Sequence, residues 1–271
     1  IPAGAVLCIA ADGGKVRSTS KGADGRLEWF EARAATISLT FQGKELPRKQ
    51  AGGKVCLAGV FDVDELFETL GVVYECLPEA LKGLRQVFTG DGGPWWERAK
   101  EHFAGATEIL DIYHAGENLA SAAAACFGEG SAKTRHWREH VRDWLMEPGR
   151  LEQLRGELCR ARPSAVANPK GHHEVRKKLA YFRQHRERMR YWEYEVAGLP
   201  IGSGVIESGV KQTVIARLRQ AGMKWTVTSA DAVLRLRGAW LSGELPHLFA
   251  RRRQACSQAA SVFYEALQTA A

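Results

Sequence analysis

Three acids in this chain stand where a carboxylate can meet a ligand. Asp12 and Asp91 each follow a short apolar run, over residues 6–10 and 86–89, and each is followed by Gly-Gly. A carboxylate at a strand's end, beside glycines that admit another group close to the backbone, is placed to bind a cation. An Asp-Gly pair is equally the material of an ordinary turn. Glu207 belongs to a helix expected to begin near Val205, with Ile206, Val210, Val214, Leu218 and Ala221 as its apolar stripe. At about 100° per residue, Glu207 falls within the edge of that stripe, where an acid must be neutralised, hydrogen-bonded or metal-bound. The helix N-terminus, or Lys211 four residues on, would give it a simpler partner. Together the three are oxygen ligands, which select magnesium or manganese over zinc. Two such ions about 4 Å apart suit displacement at a phosphodiester, and no serine, cysteine or tyrosine nucleophile is then required.

The elements that must position these acids follow from the apolar pattern. Residues 6–10, 33–41 and 54–63 read as strands, with Asp12-Gly13-Gly14 as the turn that closes the first and a Gly/Lys/Pro/Gln stretch as a hairpin loop between the other two. Residues 63–84 carry helical spacing through Leu66, Phe67, Leu70, Val73, Tyr74, Leu77, Leu81 and Leu84. A strand at 86–89 follows. Next comes a helix opening at Pro94, with Trp95, Trp96, Ala99 and Phe103 on one face and Gly105 as its stop, then a strand at 108–112. This order requires an α/β fold, a mixed sheet with flanking helices. From Ala115 to about Tyr194 the pattern is nearly all helix, which reads as a separate inserted module; Leu199-Pro-Ile-Gly-Ser-Gly204 breaks it before the Glu207 helix. The expected division is 1–114 for the first part of the core, 115–200 for the helical insertion and 201–271 for the C-terminal helices.

Lysine and arginine exceed aspartate and glutamate by 38 to 31, a formal charge of +7 and a mild basic bias compatible with a polyanionic partner. The six cysteines contain no C-x-x-C pair and fit neither a zinc site nor a small disulfide framework, so they read as reduced thiols of a cytosolic protein. No apolar run approaches the roughly 18–20 residues of a membrane span. The opening residues are too short and uncharged for a signal peptide. They also lack methionine, which reads as a fragment or a partial reading frame.

In order along the chain stand Asp12-Gly-Gly, Thr89-Gly-Asp91-Gly-Gly-Pro-Trp-Trp, Ile109-Leu-Asp111-Ile-Tyr-His114-Ala and Leu199-Pro-Ile-Gly-Ser-Gly-Val-Ile-Glu207-Ser-Gly-Val-Lys211. This series resembles the ISKra group of insertion-sequence transposases, in the Mutator-like branch of the DDE superfamily. Arg217-Leu-Arg-Gln-Ala-Gly-Met-Lys-Trp225 resembles that group's downstream block, so the likeness spans nearly the whole chain. The resemblance implies a ribonuclease-H-like catalytic domain with an all-α insertion before the last acid. It implies Asp12, Asp91 and Glu207 as the catalytic triad, holding two magnesium or manganese ions. The expected reaction is cleavage at transposon ends followed by attack of the freed 3′-hydroxyl on target DNA, by a homodimer on double-stranded DNA in the bacterial cytoplasm. The upstream DNA-end-binding region usual in such transposases is missing here, and Gly209-Val210 replaces the small-residue pair expected after Glu207-Ser208. A ribonuclease-H-like nuclease that cuts without joining, and a non-catalytic DNA-binding relic, are the alternatives; three intact acids speak against decay of the site.

Asp111 and His114 form a D-x-x-H pair resembling the accessory motif of Mutator-like enzymes, expected near the triad's mouth but outside the primary ligand set. Asp111 can equally cap a helix, and His114 can be a satisfied core residue. Between Lys170 and Arg190 eight basic residues face only Glu174 and Glu187, with Tyr181, Phe182, Tyr191 and Trp192 interleaved. Such a run is commonly a solvated face. Beside a phosphodiester-cleaving site it becomes a phosphate-contacting surface, with Lys177, Lys178, Arg183 and Arg186 as its candidates. Lys211, Arg217, Arg219, Lys224 and Trp225 make a second candidate DNA surface. His172-His173 lacks a third ligand at a zinc spacing and is not read as a metal site.

Overall fold

A computed structural model describes residues 1–45, 54–202 and 216–269. Its centre is a six-stranded mixed sheet flanked by helices, an α/β architecture. Strands β1 (Val6–Lys21) and β2 (Leu27–Phe41) form a long antiparallel pair. On the outer side of β2 lie β3 (Lys44–Glu45) and β4 (Val55–Gly59), both antiparallel to it. On the other side of β1 come β5 (Arg85–Gly90) and then β6 (Thr107–Leu110), both parallel.

The two-residue period of β1 decides which side each residue serves. Leu7, Ile9 and Ala11 join the larger core with Ile37, Leu39, Phe67, Phe88 and Ile109. Ala10 and Val16 point the other way, into a smaller cluster with Ala32, Ala34, Ala58, Leu218, Ala230 and Leu234. Helix α1 (Val63–Glu75) covers the first face, and a capping box between Asp62 and Glu65 opens it. Helix α2 (Trp96–His102) follows β5.

Four helices succeed β6: α3 (Ile112–Phe127), α4 (Ala132–Leu145), α5 (Arg150–Ala161) and α6 (Pro169–His185), followed by a 3₁₀ turn at Arg186–Arg188 and α7 (Tyr191–Val196). They are not a detached module. Trp137, Leu154, Leu158, Phe182, Met189 and Tyr191 belong to the same continuous core as Leu7 and Phe88. The buried stripes of these amphipathic helices can be covered only by one another and by the sheet face, so helical composition alone does not make an independent unit.

The opposite face is covered by α8 (Val227–Leu241), with α9 (Leu245–Thr269) after it. Gly238 lets α8 approach β4, since a Cβ there would sit 2.8 Å from the Cys56 carbonyl oxygen. Asp231 accepts from the Val60 amide (2.8 Å) and Ser242 Oγ from the Cys56 amide (2.8 Å). These side chains satisfy backbone donors at the end and outer edge of β4 that would otherwise be open. None of the six cysteines is joined in a disulfide. Among the described residues no helix is long and apolar enough to cross a membrane.

The turn expected at Asp12-Gly13-Gly14 is corrected: β1 runs unbroken through it, with Asp12 opposite Ala34 and Gly14 opposite Ala32. A glycine adopts extended backbone as readily as a turn, and the antiparallel partner here continues well past the pair. What ends is the other neighbour, because β5 pairs with β1 only as far as Ala10↔Thr89. Asp12 therefore lies just beyond the parallel part of the sheet.

Candidate active site

Asp12, Asp91 and Asp111 lie at one end of the parallel part of the sheet. Asp12 continues from Ala10 on β1, Asp91 follows the last residue of β5, and Asp111 follows the last residue of β6. Three neighbouring parallel strands thus deliver three acids to the carboxyl edge of the sheet, the usual place for ligands in sheets of this kind. The Asp111 amide donates to the Gly90 carbonyl (3.0 Å), which ties the second and third exits together.

Each carboxylate is oriented locally. Asp12 Oδ1 accepts from the Gly13 amide at 2.6 Å. Asp91 Oδ1 accepts from the Gly93 amide (2.9 Å) and from the indole N–H of buried Trp95 (2.8 Å). Both donors fall on one oxygen, and among the described residues no donor reaches Asp91 Oδ2. Asp111 caps α3, its Oδ1 accepting from the His114 amide at 2.9 Å. The His114 ring lies over the same oxygen, with Nδ1 at 3.3 Å in an ion-pair contact rather than an aligned hydrogen bond.

These groups feel one another. Burial pushes the Asp12 carboxyl up to about 6, and repulsion from Asp91, with a smaller part from Asp111, adds to it against the Gly13 amide and His114. Contact with Asp111 lifts His114 to about 9 against the opposing effect of its own burial, with further pull from Asp91 and Asp12. His114 is therefore an imidazolium at neutral pH, paired with Asp111 and within electrostatic reach of Asp91 and Asp12. Asp111 is the helix cap that its sequence position allows, and His114 beside it stands in the electrostatic field of Asp91 and Asp12.

The helical segment reaches into this site. Tyr181 on α6 donates its hydroxyl to the Asp91 carbonyl oxygen at 3.0 Å. Its ring lies against Gly92, which has φ +91°, and a Cβ there would come within 2.6 Å of the ring. Only glycine satisfies both that backbone conformation and that contact. Burial, and then the negative charge of Asp91 and Asp111, hold the Tyr181 phenol well above its ordinary range, so it acts as a neutral donor. Lys178, one turn before Tyr181, donates to Asn118 Oδ1 (2.6 Å), and Asn118 donates to the His114 carbonyl (2.8 Å).

A turn further on, buried His185 is held down to about 4 by burial and then by Arg188, so it is neutral. Its Nδ1 lies 3.2 Å from an Arg188 guanidinium nitrogen and accepts from it. Arg188 also donates to Glu108 on β6 at 2.7 Å and stacks over Trp96, 4.4 Å from the ring centroid. The sequence offers Lys178 only as a candidate DNA contact, and nothing in local sequence marks Tyr181 and His185 as site residues. The available signal is their spacing, which puts them on one face of an otherwise basic helix.

Glu207 and Lys211 lie outside the described residues. The chain reaches that segment at the site, since the Ile112 amide donates to the Ile201 carbonyl (3.0 Å) and Gly202 packs against Tyr113 and Ile112. It is described again at the one-turn helix Ala216–Leu218, where Leu218 is buried on the Asp12 face of the sheet. Of the expected DNA contacts, Lys177, Arg183, Arg217, Arg219 and Lys224 are exposed. Lys178 is turned toward Asn118 and Glu174, and Arg186 is paired with Glu187 at 3.0 Å. Trp225 is tied into the sheet edge instead, its amide donating to the Arg17 carbonyl and its carbonyl accepting from Thr19 (3.0 Å each).

Among the described residues no group of three histidine, cysteine or carboxylate ligands is assembled. The Asp91 charge acts on Asp12, offset only in part by the Gly13 amide and His114, and carboxylate oxygens are the donor type a hard cation takes. No family model and no curated protein matches the chain.

Proposed function

We propose that this chain is the catalytic core of a DDE-type DNA transposase, with a ribonuclease-H-like sheet and an all-α insertion before its last acid. The observation that carries the proposal is the convergence of Asp12 and Asp91 from neighbouring parallel strands, where burial and the Asp91 charge raise the Asp12 carboxyl. Strand order supports the fold: four strands paired antiparallel come first, β1 to β4, then two parallel ones on the other side of β1. The chain's approach to residue 203 beside Ile112 supports a place for Glu207 as the third acid.

In this reading Asp12, Asp91 and Glu207 would hold magnesium or manganese ions, which supply charge neutralisation at the phosphodiester and a more acidic attacking oxygen. The chain's own residues do the positioning. Gly93 and Trp95 fix Asp91 through one oxygen and leave the other toward the ligand. The His114 imidazolium, held by Asp111, offers a positive charge to a phosphate beside the acids. Tyr181 holds the Asp91 main chain in place. Duplex DNA is the substrate class this arrangement suits.

The test is nicking of supercoiled plasmid by the full chain in magnesium or manganese, followed by joining of pre-cut 3′-hydroxyl oligonucleotides to plasmid. Asp12→Asn, Asp91→Asn and Glu207→Gln should each abolish both reactions while leaving the fold intact by circular dichroism. Nicking without joining would identify a nuclease. Equal activity in any of the three variants would remove that acid from the triad, and inactivity of the parent with intact DNA binding would favour the non-catalytic relic.

A further inference from the structure

Helix α6 carries a second face that the carboxylate site does not use. Lys178, Tyr181 and His185 point to the site, whereas Arg176, Lys177, Ala180 and Arg183 line a groove of about 850 Å³ shared with α5. Arg155 and Arg162 stand on the opposite wall, with Glu152 as the one carboxylate of the lining. Glu152 is already taken by Arg155 at 2.6 Å. Arg176, Lys177 and Arg183 are exposed and make no ion pair among the described residues. Gly156, Cys159 and Ala180 form a low floor, so cationic side chains rise on both sides of a channel open to solvent.

The spacing of these cations matches a linear polyanion. Arg155 and Arg162 are seven residues apart on one wall, and Arg176 and Arg183 are seven apart on the other. Seven residues of helix rise about 10.5 Å, a length over which a duplex presents about three phosphates per strand, at about 3.4 Å of its axis each. Four of the five cations are arginine, whose planar fork matches phosphate oxygens better than an ammonium does. We propose that the α5–α6 groove is a binding site for the sugar-phosphate backbone of duplex DNA, gripped from both walls by Arg155, Arg162, Arg176, Lys177 and Arg183. This rests on the reading of the chain as a DNA-processing enzyme, and it places the bound strand one helix face away from Asp91. Lys178 and Arg186 do not line the groove and are not part of the grip.

The test is fluorescence anisotropy of a labelled random-sequence duplex with the full chain in chelator, over a salt series. Replacing Arg162, Arg176 and Arg183 together by alanine removes three phosphate contacts, so the slope of log affinity against log salt should flatten by about 2.7. The parent's advantage should then shrink by roughly 40-fold for a fourfold rise in salt. Alanine at exposed Arg251, Arg252 and Arg253 on α9 removes the same charge elsewhere and should move the slope far less. An unchanged slope in the groove variant, or equal flattening in the α9 control, would overturn the site. So would flattening seen with single-stranded RNA and not with the duplex. If the triple variant melts early, the single variants carry the test, each expected to flatten the slope by about 0.9. Because binding is read without metal, lost nicking with this slope intact would count against the enzymatic reading and leave the groove standing.

Discussion

Asp12→Asn should stabilise the metal-free protein above pH 6 while destroying its response to magnesium. Asp12 titrates near 6 in the folded chain against an ordinary 3.8, chiefly because burial and the Asp91 charge disfavour its ionised form. At low pH both folded and unfolded chains hold the proton and the residue contributes nothing. Between about pH 4 and 6 the unfolded chain ionises while the folded chain stays protonated, so unfolding is increasingly favoured as pH rises. Above about 6 the whole difference is present, about 3 kcal/mol at 1.36 kcal/mol per pKa unit. Asp12 keeps some solvent contact, so a screened value of about 1–3 kcal/mol is the expectation. For a chain of this size that corresponds to roughly 2–6 °C in Tm.

Melting in chelator at pH 7.5 should therefore put the variant above the parent by that amount, and at pH 4 the two should coincide. Adding magnesium should reverse the order, because a cation bound only by the folded state contributes about 2.7 kcal/mol at a hundredfold excess over Kd. A gap of equal size at both pH values would refute the electrostatic cause and leave a packing effect. A magnesium shift that survives in the variant would refute Asp12 as a ligand.

Three further outcomes follow from the same geometry. Gly92→Ala must adopt a positive φ and displace the Tyr181 ring, so urea denaturation should show a loss of about 1–3 kcal/mol; a loss under about 0.5 kcal/mol would mean the turn yields freely. Arg188→Met leaves the half-buried Glu108 carboxylate uncompensated and should lower stability by about 3 kcal/mol, most of it restored when Glu108→Gln is added; equal instability in the double variant would show that the stack on Trp96 matters more than the ion pair. His114→Ala should slow plasmid nicking while cation affinity, read by calorimetry, stays nearly unchanged; loss of cation binding would make His114 a ligand.

The acids Asp12 and Asp91 are legible because their signal is local: an apolar run, one carboxylate, two glycines. The same signal misleads about Asp12's conformation, since whether Gly13-Gly14 turns or extends depends on Ala32 and Ala34 across the sheet, twenty residues away. The succession of strands and helices along the chain follows from periodicity, and the α/β class with it, whereas the extension of β1 to Lys21 and the start of β2 at Leu27 do not. Tyr181 is not legible, because its contact with Asp91 spans ninety residues and its sequence neighbourhood reads only as a basic helix. Counting charge over residues 170–190 treats that helix as one surface. The structure divides it by the helical period: Lys178, Tyr181 and His185 on one face, Arg176, Lys177 and Arg183 on another. Lys177 and Lys178 are adjacent in sequence and lie on different faces, the one lining the groove and the other bonded to Asn118.

That division ties the helical segment to the chemistry of the sheet. The Asp91 turn is held from below by Gly93 and Trp95, which belong to the sheet's own connection, and from above by Tyr181 on α6. The base of α6 is pinned to β6 through Arg188 and Glu108 and to α2 through Trp96. A phosphate backbone in the α5–α6 groove would therefore press on a helix whose inner face already holds Asp91. Such a load can reach the carboxylate only if α6 moves as a rigid body. The continuous core through Phe182, Met189 and Tyr191 supplies that rigidity, since close-packed interiors transmit displacement rather than absorb it.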